Sequence, residues 1–222
     1  MATTTLHQPI LWSTAGIAES VLAGLHDRAQ CDDAEQAVYG FDALDELGLH
    51  PLIHDALRDA GYGVWPEQRY PGHRHRRRKS EGLRCDVVLT PEALPLREPE
   101  IRDTLFDCQP ATDPEQAYWL EIKTVAQFET NGPFRRYTSE LLAPVAQDVR
   151  KIWTDANIHH GGLLLVLFTE DQHVAELDLA TWQTRCIDRG LPIGIPTVRG
   201  FAINDRIGNA WCAVAMFGVR GC

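Results

Sequence analysis

Long hydrophobic runs are missing from this sequence: the two longest, at 163–168 and 210–217, fall well short of the ~18 apolar residues that cross a bilayer, so no membrane span is expected. No lysine or arginine precedes Arg28, which leaves a secretory leader without its charged n-region. The six cysteines (31, 85, 108, 186, 212 and 222) form no CxxC pair and lie far apart, so neither a zinc ribbon nor a disulfide scaffold is indicated. A chain of 222 residues can build its core without such staples, and the expectation is a reduced, cytoplasmic protein. The glycines at 16, 24, 61, 63, 161 and 162 make no phosphate-binding fingerprint, so no nucleotide cofactor is expected. Lysine is scarce as well: three (79, 123 and 151) against 18 arginines.

What is present is unevenly spread. The net charge of −10 argues against a general nucleic-acid coat protein. Residues 1–60 hold ten acids against Arg28 and Arg58, a local balance of −8, whereas 69–79 packs six fixed positive charges and two histidines with no acid. Such a cluster is a polyanion contact, a targeting signal or a solvated loop, and the run alone does not choose among them.

Hydrophobic periodicity orders the chain. A loose helical period covers 17–30, and 31–36 reads as an acidic helix start or turn. From 41 to 60 the apolar positions mostly follow 3.6 spacing, and either the helix starts near 50 with Pro51 in its first turn or a longer helix kinks there. The segments 64–70 and 83–90 read as strands of an antiparallel hairpin with the basic run at its tip. A short helix is expected at 98–106, a strand at 118–128 and a helix at 138–156 with Pro144 near its first turn. The continuous apolar run 163–168 suits a strand buried on both faces. A helix near 177–186 and strands near 197–203 and 210–219 complete the chain. The order α-β-β-β-α-β, with additions at both ends, implies one mixed α/β domain.

Within 118–125 (Tyr-Trp-Leu-Glu-Ile-Lys-Thr-Val), alternation puts Glu121 and Lys123 on one strand face. Charges in such apolar surroundings cost desolvation energy unless paired. Asp86, leading into Val87, Val88 and Leu89, is a second acid where the pattern wants an apolar residue. If the strands pair, Asp86 and Glu121 present two carboxylates to one point, a repulsion that a divalent cation relieves. Oxygen ligands of this kind suit Mg²⁺ or Mn²⁺, which lowers the pKa of a bound water and stabilises charge on a phosphoryl oxygen. Lys123 beside it could hold the attacking water or neutralise developing charge. The bland alternative for Glu121 and Lys123 is a salt bridge on a solvated strand end.

Asp86 followed by Glu121-Ile122-Lys123 on consecutive strands resembles the PD-(D/E)xK nuclease superfamily, with Cys85 where the namesake motif has proline. The resemblance implies a restriction-endonuclease-like three-layer core, a central mixed sheet flanked by helices. That core spans about 42–168, within a single domain over 1–222 that has an N-terminal helical extension at 1–41 and a C-terminal α/β addition at 169–222. It further implies Mg²⁺-dependent hydrolysis of DNA phosphodiesters. Asp86, Glu121 and the Ile122 carbonyl would be metal ligands, Lys123 the catalytic lysine and Glu46 an auxiliary acid, with Glu67 the other candidate for that place. Arg74, Arg76, Arg77, Arg78 and Lys79, together with Arg135 and Arg136, would contact the DNA backbone, a track that Arg150 and Lys151 could extend. A homodimer is expected only if both strands of a duplex are cut together. No Gln-x-x-x-Tyr motif is present, since Lys151 stands four residues after Gln147, and this argues against an exonuclease subtype. The alternative reading is a catalytically inactive member of the same fold that binds nucleic acid or protein.

Three other features invite chemistry. Glu46, His50 and His54 share a face if the helix is continuous, but two exposed histidines are a commoner outcome there than a zinc site. His159 and His160 adjoin glycines in a loop, an awkward ligand pair, and Cys85 reads as a buried free thiol.

Overall fold

Hydrophobic periodicity, a capping hydroxyl and a capping carboxylate fix the first layer of this computed structural model, which describes residues 11–73, 83–97, 110–142, 144–204, 206 and 208–220, the side chains of 73, 144 and 145 excepted. Helix α1 (Thr14–Ala34) starts at Ser13, whose hydroxyl accepts the Gly16 N–H at 3.0 Å. The acidic stretch from residue 31 closes this helix rather than opening another. Helix α2 (Glu46–Asp59) opens at Asp45, whose carboxylate accepts the Gly48 N–H at 2.8 Å. It runs continuously through Pro51, so a start near residue 50 does not hold. Pro51 lies on the exposed face, and the Leu47 carbonyl that loses its donor belongs to a residue that is 72% exposed, where water can replace it.

Strands β1 (Gly63–Arg69) and β2 (Arg84–Thr90) form the expected antiparallel hairpin, from Gly63↔Thr90 to Arg69↔Arg84. Strand β3 (Tyr118–Ala126) joins β2 antiparallel over Val87↔Leu120, Val88↔Trp119 and Leu89↔Tyr118. It ends two residues sooner than expected, because Phe128–Glu129 (β4) turns back to pair with Gly132–Pro133 (β5). Within the helix expected over 138–156, the described residues form the helical segments α3 (Tyr137–Leu142) and α4 (Pro144–Thr154). These helices form the crossover that parallel pairing of β3 with β6 (His160–Thr169) requires. Helix α5 (Gln172–Asp188) leads to β7 (Thr197–Ala202) and β8 (Trp211–Arg220), with β8 inserted between β6 and β7 and antiparallel to both.

The result is a mixed six-stranded sheet of order β1-β2-β3-β6-β8-β7, covered by helices on both faces. Alternate residues of β6 divide between the two cores: Leu164, Val166 and Phe168 pack with α1 and α2, and Leu163, Leu165 and Leu167 with α4 and α5. Gly24 brings the helices of the first layer together, since a Cβ there would collide with that of Ala56. Among the described residues no helix is long and apolar enough to cross a membrane, and Cys31, Cys85, Cys186 and Cys212 are free. The helix expected at 98–106 lies outside the described residues.

Candidate active site

The antiparallel ladder between β2 and β3 stops at Val87↔Leu120. One step further the register would set Asp86 against Glu121, but there the strands part. The Asp86 carboxylate takes the place of the missing ladder acceptor, with Oδ2 receiving the Ile122 N–H at 2.7 Å. On the other side of β2, Glu67 has a left-handed φ of 53° where the β1 ladder skips a pair. The amide and carbonyl of one strand residue share an edge, so the Ile122 carbonyl faces the same opening.

Glu121 lies at the bottom of this opening, 1% exposed. Its Oε1 accepts the Tyr70 hydroxyl and lies 3.7 Å from Lys151 Nζ. Burial pushes the Glu121 carboxyl well above the usual range, and the neighbouring Asp86 and Asp148 charges add to the rise while Lys151 and Tyr70 oppose it. Burial, reinforced by Cys85 and Glu121, drives the Tyr70 phenol far upward, so it stays protonated and acts as donor. Tyr70 itself stacks on Trp119 at 5.7 Å and is held by that packing. From α4, Asp148 Oδ1 binds Lys151 Nζ at 2.7 Å. Burial raises Asp148, and the Lys151 charge counters it.

Lys123 follows on the same face of β3. Its Nζ lies 2.8 Å from Glu46 Oε2, and the same oxygen accepts the Thr124 N–H at 3.4 Å. Burial pulls the ammonium down, but the hydrogen bond and charge of Glu46 outweigh it and leave Lys123 raised. Glu46 reaches this point because it is the first residue of α2, which starts beside the part of β3 that β2 has left uncovered. Glu67 is exposed and engages Arg84 Nη1 through its backbone carbonyl at 2.6 Å. Lys123, Glu46 and Arg136 line a cavity of about 500 Å³ that also holds Phe128, Phe134 and Glu140. The Arg136 guanidinium lies over the Phe134 ring at 5.8 Å, whereas Arg135 is exposed nearby. Arg74, Arg76, Arg77, Arg78 and Lys79 lie outside the described residues.

The histidines of α2 are buried rather than exposed, each at 8%. Their rings are 5.7 Å apart. Burial, with the charges of His50 and Arg58, lowers His54 to about 4, and Asp86 lies close enough to oppose the shift.

Sequence reasoning missed Tyr70 and Asp148 and placed Lys151 on an outer track. The scarcity of lysine was a usable signal for Lys151, since two of the three lysines converge here. Among the described residues no three His, Cys, Asp or Glu side chains form a ready-made metal cage. Asp86, Glu121 and the Ile122 carbonyl would offer oxygen alone, the chemistry of a hard ion that keeps several waters. Comparisons with protein-family models, curated proteins and solved structures gave no match.

Proposed function

We propose that this chain is a PD-(D/E)xK-type nuclease with a restriction-endonuclease-like core, which hydrolyses DNA phosphodiester bonds with Mg²⁺ or Mn²⁺. One observation carries the reading: Asp86 replaces the β-ladder acceptor at Ile122 and so stands beside Glu121, with Lys123 two residues on along the same face. Asp86, Glu121 and the Ile122 carbonyl would hold the ion, which when bound supplies an acidified water and a counter-charge for phosphoryl oxygen. Ionisation of Glu121 is disfavoured by burial and by Asp86, so the pair is poorly satisfied alone and suited to a cation. Lys123, kept charged by Glu46, is positioned to orient water or stabilise charge on the phosphoryl group. Arg136, on the rim of the adjoining cavity, can meet a neighbouring phosphate.

The test is cleavage of plasmid and single-stranded DNA with Mg²⁺ or Mn²⁺, using wild type, Asp86→Asn and Lys123→Ala. Cutting that depends on metal and falls at least about 100-fold in both variants is expected. A wild type that binds DNA but never cuts it would favour the inactive, binding form of the fold. No binding and no cutting would remove DNA from consideration.

A further inference from the structure

Both lysines of the site arrive already paired, but the pairings differ. Lys123 has Glu46 at 2.8 Å. Lys151 has a close partner, Asp148 at 2.7 Å on its own helix, and a looser one, Glu121 at 3.7 Å across the site. The second contact can therefore be surrendered without leaving the ammonium bare. Lys151 is also not enclosed on every side, because it forms part of the wall of a cavity of about 280 Å³ with Tyr70, Gly72, Asp155 and Asn157. The ammonium is also firmly charged: burial pulls it down, but Glu121, Asp148 and Asp86 more than offset this.

We propose that Lys151 is a tethered competitor for the metal: its ammonium holds the approach to the Glu121 oxygen until a divalent cation displaces it towards Asp148, so that Lys151 sets the metal affinity of the site. This rests on the reading of Asp86 and Glu121 as metal ligands. Two cations cannot share the Glu121 oxygen without repulsion. A unit charge ~4 Å away opposes an incoming ion by about fivefold or more even in a watery site. Lys151 is thus a positioning residue, acting on the ion through the carboxylate they contest.

Mn²⁺ alone, titrated into the full-length protein and followed by the electron paramagnetic resonance of the free ion, tests this without reference to cleavage. Lys151→Gln should bind Mn²⁺ at least about fivefold more tightly than wild type, and Lys151→Arg, which restores the charge, should bind as wild type does. A gain in affinity cannot arise from a damaged fold, so the expected sign is diagnostic. Unchanged or weaker binding in Lys151→Gln, with wild-type binding still dependent on Asp86, overturns the competitor role and leaves the metal site standing. Binding in no variant, or binding indifferent to Asp86→Asn, overturns the metal reading itself.

Discussion

The site keeps two side chains in protonation states that water would not give them, by burying each beside chosen partners. His54, lowered to about 4, remains neutral where an unfolded histidine titrates. Its folded value lies below the ordinary 6.5, so its share of stability is intact above that pH and is lost as pH falls towards 4. His54→Gln, which cannot titrate, should therefore show a shallower fall of Tm between pH 6.5 and 4, measured by circular dichroism on both proteins. An unchanged slope would mean that acid acts elsewhere. Asp86, Glu121 and Lys123 were legible in the sequence because a charge inside an apolar strand is conspicuous. Tyr70 was not, since it sits 51 residues before Glu121 and looks like any aromatic at a strand end. Asp148 was hidden for a related reason: an acid three residues before a lysine on a helix is ordinary surface chemistry until the helix is docked.

Elements were more legible than their boundaries. The β1–β2 hairpin followed from two strand-like segments flanking the basic run, and β6 from a continuous apolar run. Pro51 left the start of α2 open because the local cost of a helical proline is plain in sequence, whereas the burial of Leu49, Ile53 and Leu57 that outweighs it depends on a sheet not yet assembled. The α1–α2 contact at Gly24 and Ala56 is likewise a tertiary fact. Gly24→Leu should cost about 1–3 kcal/mol of unfolding free energy in urea by forcing the helices apart. Ala56→Gly should recover part of that loss in the double variant, and strictly additive effects would show that the two residues do not press on one another.

For the molecule as a whole, Glu121 is a stored liability. Below pH 4.5 its carboxyl is protonated both folded and unfolded; as pH rises, the unfolded chain releases the proton that the folded chain retains, and stability falls until the raised folded value is passed. In chelator, Glu121→Gln should therefore have a higher urea midpoint than wild type at pH 8 and an equal one near pH 4. A lower midpoint at pH 8 would show that the ionised carboxylate is the more stable form. The outer strands of the sheet carry a different consequence. β1, whose far side has no strand partner among the described residues, contains Pro66, which has no N–H to offer, and Glu67, whose left-handed backbone breaks the strand's flatness. A second chain has no regular template to extend there. The end of the sheet beside Asp86 is thereby guarded against aggregation by strand addition, and crowding does not seal the opening through which a substrate would arrive.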